Sequence, residues 1–167
     1  MKIRLWDSSI VNTAFSFAVN PDSCSNPDFF HYYIRFSAIS DQSSGRGVTH
    51  AILSDDEQTL LGFVTLKNTA LLTSAGHGEP ALEIANLAVS KDYERQGIGR
   101  TLLNYSISVS EKINSHLSGV RFLVLAADPK SVDFYEHMKF YKFQEYWTLP
   151  RETTNESCVP MFMQLHI

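Results

Sequence analysis

The sequence predicts a mixed α/β fold in one domain covering residues 1–167. Three observations carry that reading. Short apolar runs with strand character recur at Val48 to Leu53, Leu61 to Leu66, Leu82 to Val89 and Val120 to Ala126. Between the last two lies Gln96 to His116, where apolar residues return at helical spacing (Ile98, Leu102, Tyr105, Val109, Ile113). No internal repeat, low-complexity tract or linker separates these pieces, so strands and helices share one core.

Taken in order, Lys2 to Trp6 reads as a short opening strand. Asn20 to Pro27 is rich in Pro, Ser and Asn, which favours a loop. Asp28 to Ile39 places Phe29, Tyr32, Tyr33 and Phe36 at roughly helical spacing and is expected to be a helix. Ser40 to Gly47 is polar and glycine-containing, hence loop. Val48 to Leu53 and Leu61 to Leu66 flank the turn-like Ser54 to Gln58 and read as an antiparallel hairpin. Thr73 to Pro80 holds two glycines and a proline and reads as loop, before the strand Leu82 to Val89. Val120 to Ala126 is apolar but for Arg121 and reads as a buried central strand. Asp128-Pro129 starts a helix, with a capping side chain followed by proline in the first turn, running to about Met138. Lys142 to Trp147 and Val159 to His166 are closing strands, with a polar loop between them.

Composition narrows the class. A chain of 167 residues with 44% apolar and 19% charged residues is an ordinary globular protein with room for a real core. A formal net charge of -4 argues against a general nucleic-acid binder, which needs a basic face. Cys24 and Cys158 lack zinc-type spacing and read as reduced thiols of a cytoplasmic protein. No apolar run approaches the roughly 18 residues that span a membrane. The N-terminus MKIRLWDSS lacks the apolar core of a signal peptide. The six histidines form no metal-binding pattern, so no metal is expected.

The stretch Glu94-Arg95-Gln96-Gly97-Ile98-Gly99-Arg100 carries most of the chemistry. It joins a strand to a helix through two glycines. A helix N-terminus leaves backbone N–H groups unpaired and bears roughly half a positive charge. Glycines let a large anion approach that backbone, and Arg95 and Arg100 add charge. The expected ligand is a nucleotide-like cofactor with a pyrophosphate.

Two segments in register resemble one family. Leu87-Ala88-Val89 followed by Tyr93 to Leu103 is similar to the acetyl-CoA motif of the GNAT superfamily of N-acetyltransferases, Q/R-x-x-G-x-G/A after a strand. Asp128-Pro129-Lys130-Ser131-Val132-Asp133-Phe134-Tyr135-Glu136-His137-Met138-Lys139-Phe140 resembles that family's A-x-x-F-Y-x-x-x-G-F stretch. The resemblance implies a central mixed sheet of about six to seven strands flanked by helices. It implies direct transfer of an acetyl group from acetyl-CoA to a primary amine. Leu87, Ala88 and Val89 would serve the pantetheine arm and the thioester carbonyl. Arg95, Gln96, Gly97, Ile98, Gly99, Arg100 and Thr101 would hold the pyrophosphate, with Asp128, Ser131 and Phe134 completing the cofactor set. The sequence departs from the pattern at three places. Glu94 replaces the usual Gln or Arg and is expected to weaken the grip on the cofactor. Asp128 replaces asparagine. Lys139 replaces the glycine of G-F, so the helix is expected to end without its left-handed cap.

By the same resemblance Tyr135 is the candidate general acid, since a phenol with pKa about 10 can donate to a departing thiolate; the alternative is a packing role. Glu83, five residues before Ala88, is the candidate general base. A lysine-type amine, with pKa about 10.4, is almost wholly protonated at pH 7 and calls for such a base; the alternative is a structural ion pair. Phe29, Phe30, Tyr32, Tyr33 and Phe36 wall an acceptor pocket or pack in the core, and His77 is a surface residue. The expected acceptor is an amine of a small molecule or a protein. Ser43 to Thr49 and Glu83 to Val89 also resemble the GNAT toxins of toxin–antitoxin modules. Aminoacyl-tRNA would then be the acceptor and an antitoxin the partner, with Lys130, Lys139, Lys142 and Arg151 as a basic patch. A third alternative is a non-catalytic acyl-CoA-binding regulatory domain. Family likeness makes a homodimer the expected assembly, and no membrane association is expected.

Overall fold

The computed structural model describes residues 1–145, 147–149 and 157–165. The loop expected at 151–157 lies outside these residues except for Ser157, as do Arg151 of the basic patch and His166. The described chain forms an eight-stranded mixed sheet flanked by helices, in the order β1-β2-β3-β4-β5-β8-β6, with β7 paired to β3. The strands are β1 (Lys2–Leu5), β2 (Val48–Leu53), β3 (Leu60–Thr73), β4 (Gly78–Val89), β5 (Phe122–Ala127), β6 (Tyr141–Lys142), β7 (Trp147–Thr148) and β8 (Val159–Gln164). The helices are α1 (Pro27–Tyr32), α2 (Ala38–Ser43), α3 (Ile98–His116) and α4 (Val132–His137).

The expected β2–β3 hairpin forms, with Val48 opposite Leu66 and Ala51 opposite Phe63. Sequence patterning underestimates β3 and β4. Both run on into the polar region read as loop, and the link shrinks to a tight turn in which Thr73 N–H donates to the His77 carbonyl at 2.9 Å. Gly76 supplies the positive φ of +80° that this turn needs. The single closing strand expected at Lys142 to Trp147 is two short strands instead. β6 pairs with β8, whereas β7 pairs with Leu72 and Thr73 of β3. The two together raise the strand count above the six to seven expected.

The aromatic N-terminal helix is longer than its pattern suggested. A π-helical turn, Tyr33–Ser37, joins α1 to α2, which ends at Ser43 rather than Ile39. Tyr33 is buried and Phe30 packs against the core, whereas Phe29, Tyr32 and Phe36 are exposed. On α3 the buried stripe is Ile98, Leu102, Leu103, Ser106 and Ser110, with Tyr105, Val109 and Ile113 half-buried. The two buried serines shift the stripe from the one that apolar periodicity alone picks out. Ser110 Oγ donates to the Ser106 carbonyl at 2.8 Å, which satisfies its hydroxyl away from water.

The chain packs as two compact units. One comprises Met1–Leu66 and Asn86–Asn104, and the other Lys67–Ala85 and Tyr105–Ile167. Each has its own core. In the first, Trp6, Phe17, Tyr33, Ile34, Leu53, Leu60 and Phe63 pack with Ala88. In the second, Leu71, Ala81, Phe122, Val124 and Leu149 pack with Phe143, Trp147 and Phe162. Cys24 is buried and Cys158 half-buried, and neither is joined in a disulfide. Among the described residues no helix is long and apolar enough to cross a membrane.

Candidate active site

In the first unit the end of β4 leads through a short 3-10 turn, Lys91–Tyr93, into the glycine turn and α3. The parallel ladder with β5 runs from Ala81↔Phe122 to Ile84↔Leu125, while β4 itself continues to Val89. Leu87, Ala88 and Val89 therefore lie past its last rung. Arg95 and Gly97 both adopt left-handed backbone, with φ of +60° and +83°. For Gly97 this is inexpensive, and no atom lies within 4 Å of where its Cβ would stand. For Arg95 it costs about 1–2 kcal/mol and persists only if neighbours hold the turn.

The first helical bond of α3 runs from Thr101 N–H to the Gly97 carbonyl at 2.9 Å. The N–H groups of Ile98, Gly99 and Arg100 thus precede the helical ladder and are the donors an anion can use. Ile98 is buried and fixes the first turn to the core, while Arg95, Gln96, Gly97 and Arg100 are exposed. Two of the expected side chains are occupied locally. Thr101 Oγ1 donates to the Gly97 carbonyl at 3.1 Å, and Gln96 Nε2 to the Asp92 carbonyl at 3.3 Å. Their contribution to an anion site is thus mainly backbone. These features fit a pyrophosphate: free N–H donors, a side-chain-free approach at Gly97 and two exposed arginines.

Glu94 has partners that are distant in sequence. Its carboxylate accepts hydrogen bonds from Ser23 Oγ at 2.6 Å and Asn20 Nδ2 at 3.1 Å. Both its oxygens are thus hydrogen-bonded to neutral donors of the Asn20–Ser23 turn. Gly62 on β3 is a residue that sequence reasoning passed over. A Cβ there would stand 2.9 Å from the Ala88 carbonyl, 3.0 Å from Ile98 Cγ2 and 3.2 Å from Leu102 Cδ1. The available signal was a lone glycine inside an apolar strand, which marks a close backbone approach.

In the second unit Glu83 sits on β4 and is only 4% exposed. Lys67 Nζ lies 3.3 Å from Glu83 Oε2. Burial pushes the Glu83 carboxyl above its ordinary value, and the Lys67 ammonium only partly offsets this. Lys67 is a second residue absent from the sequence reading; at β-strand spacing nothing linked it to Glu83.

α4 is entered as expected. Asp128 Oδ1 accepts the Lys130 N–H at 2.9 Å and caps the turn Pro129–Ser131. Ser131 and Phe134 are half-buried and Tyr135 is buried. The Tyr135 ring meets Phe134 and Phe140 edge-on, with centroids at 5.1 and 5.8 Å. Burial pushes the Tyr135 phenol well above its ordinary value, so it keeps its proton throughout the neutral range. The expected loss of the left-handed cap does not occur. Lys139 itself takes φ +69°, and Phe140 N–H donates to the Tyr135 carbonyl at 3.0 Å. The capping bond survives because any residue can enter that region at a cost.

The structure thus collects Leu87, Ala88, Val89 and Arg95 to Thr101 in one unit, and Glu83, Asp128, Ser131, Phe134 and Tyr135 in the other. Of the basic patch, Lys142 pairs with Glu136 at 3.1 Å.

The family model for GNAT acetyltransferases matches residues 13–140. The chain belongs to the GNAT acetyltransferase family. It is an N-acetyltransferase that uses acetyl-CoA as acyl donor. No curated protein matches this GNAT chain. Among solved structures it is similar to one described as a bacterial toxin, with 18% identity, a TM-score of 0.78, and coverage of 98% of this chain and 90% of that one. It is also similar to a tyrosine-to-phenylalanine variant of the toxin AtaT bound to the C-terminus of the antitoxin AtaR. Identity there is 14% and the TM-score 0.78, over 98% of this chain and 92% of that one. AtaT complexed with acetyl-methionyl-tRNAfMet gives 16% identity and a TM-score of 0.74, over 95% and 92%. At these identities the likeness is one of fold.

Proposed function

We propose that this GNAT enzyme binds acetyl-CoA at the Arg95–Thr101 turn and passes the acetyl group directly to a primary amine of a small molecule or protein. The single observation behind the site assignment is the turn itself: left-handed Gly97 with open space above it, leading into the free N–H groups of α3. Leu87 and Val89, past the last rung of the β5 ladder, offer backbone groups to the pantetheine arm and thioester carbonyl. By resemblance to the family, Asp128, Ser131 and Phe134 are assigned to the remainder of the donor. Residues 1–167 act as one domain, in the cytoplasm, as a homodimer.

Glu83 is assigned as base. Its raised carboxyl value makes it a stronger proton acceptor once ionised, directly or through a water. It takes the ammonium proton, the amine nitrogen bonds to the acetyl carbon, and the carbon–sulfur bond breaks. Tyr135 donates its phenolic proton to the departing thiolate; the second proton shed by the acetylated nitrogen restores the phenol through water, and Glu83 releases the first to solvent. Burial raises a phenol and a thiolate alike, so the proton transfer stays feasible.

A second reading has the α-amine of aminoacyl-tRNA as acceptor and an antitoxin as partner. It is favoured by the toxin folds, including AtaT with an acetylated tRNA and with AtaR. An α-amine has pKa near 8 and needs little help from Glu83. Labelled acetyl-CoA offered to polyamines, lysine peptides, protein N-termini and aminoacyl-tRNA separates the readings. Transfer to one class identifies the acceptor. Binding of CoA without transfer to any class contradicts the catalytic assignment.

A further inference from the structure

We propose that Glu94 is a positioning residue for acetyl-CoA: it latches the Asn20–Ser23 turn onto the cofactor turn and so holds Arg95 and Gly97 in the geometry that presents the α3 N–H groups. The inference rests on the reading that the Arg95–Thr101 turn holds the pyrophosphate.

Glu94 is the residue immediately before Arg95, whose left-handed backbone needs outside support. Both carboxylate oxygens are engaged, Oε1 by Ser23 Oγ at 2.6 Å and Oε2 by Asn20 Nδ2 at 3.1 Å. Such charge-assisted bonds are the strong ones. The far side of the latch is itself fixed. Asn20 Oδ1 accepts the Asp22 N–H at 3.0 Å, and the Asn20 carbonyl accepts the Ser23 N–H at 3.1 Å. The Asn20 amide is therefore used at both ends. A backbone bond from Lys91 N–H to the Ala18 carbonyl, 2.8 Å, ties the same two segments three residues upstream of Glu94. Segments far apart in sequence are thus joined on both sides of the 3-10 turn that leads into the glycine turn.

The latch and bare electrostatics make opposite predictions. If Glu94 acted mainly as a negative charge beside a polyanion, removing it would tighten binding. If it acts as a latch, removing it loosens the turn and weakens binding. Glutamine separates shape from charge. Its Oε1 can accept from Asn20 Nδ2 while its Nε2 donates to Ser23 Oγ, so both contacts survive.

The test is calorimetric titration of acetyl-CoA into the full chain. Glu94→Ala, and Asn20→Ala combined with Ser23→Ala on the other side of the latch, should each weaken binding about tenfold. Glu94→Gln should restore binding to within about threefold of the native chain. Unchanged or tighter binding by Glu94→Ala, or by the double variant, overturns the proposal. So does a Glu94→Gln as weak as Glu94→Ala. Gly97→Glu is the control for the underlying reading. If it retains acetyl-CoA, the turn assignment itself fails; if it loses acetyl-CoA while Glu94→Ala binds normally, only the latch fails.

Discussion

The turn before α3 and the end of α4 each carry a left-handed residue that is not glycine, Arg95 and Lys139, yet they use it differently. At Arg95 the left-handed step exposes backbone donors, and the side chains nearby are solvent-facing or folded back on local carbonyls. At Lys139 the left-handed step closes a helix whose Tyr135 is buried among rings, with its phenol pushed up by burial. The first region is suited to holding a charged ligand, and the second to keeping one proton available. On the proposed assignment, binding and proton transfer depend on separable groups, and variants in the two regions should fail differently.

The largest expected effect is Gly97→Glu. A side chain at φ +83° is strained, and its carboxylate repels a pyrophosphate, so acetyl-CoA affinity should fall by about a hundredfold or more. Titration of the variant checks this. Tyr135→Phe keeps the ring packing and removes only the donor. Turnover should fall by about a hundredfold while acetyl-CoA affinity holds. Steady-state kinetics beside a binding titration would show it, and unchanged turnover would remove the acid role.

Glu83→Gln sharpens the comparison through pH. A base must be ionised, so the acid limb of the native rate profile should lie above the ordinary carboxylate range, and the variant should lack that limb. Stability should carry the same signature. A carboxyl whose folded value is raised contributes stability below its unfolded value and loses it as pH rises through the folded value. Native stability should therefore fall relative to Glu83→Gln across that window, as chemical denaturation at a series of pH values would reveal. The smallest effect is Lys139→Gly. Relieving a left-handed lysine should stabilise the fold by about 0.5–1 kcal/mol, with acetyl-CoA affinity unchanged.

Legibility in the sequence divides along the same line. The glycine turn and α4 were readable because backbone requirements leave local marks: Gly97 and Gly99 before an amphipathic run, and Asp128-Pro129 before Phe134-Tyr135. The β2–β3 hairpin was readable for the same reason. Partners distant in sequence were not. Nothing local ties Ser23 and Asn20 to Glu94, or Lys67 to Glu83, because strand and loop packing creates those pairs. Gly62 left only a weak mark, since its purpose is the approach of the Ala88 carbonyl and of Ile98 and Leu102 on α3. β3 and β4 outran their apolar patterns because the hydrogen bonds of their hairpin, closed through Thr73 and His77, extend them into polar sequence.

The most direct measurement is a paired titration of acetyl-CoA into Gly97→Glu and Tyr135→Phe. Gly97→Glu should lose binding, and Tyr135→Phe should retain native affinity while losing turnover. Retained binding by Gly97→Glu, or equal loss of affinity in both, would contradict the separation of a backbone anion site from a buried proton donor.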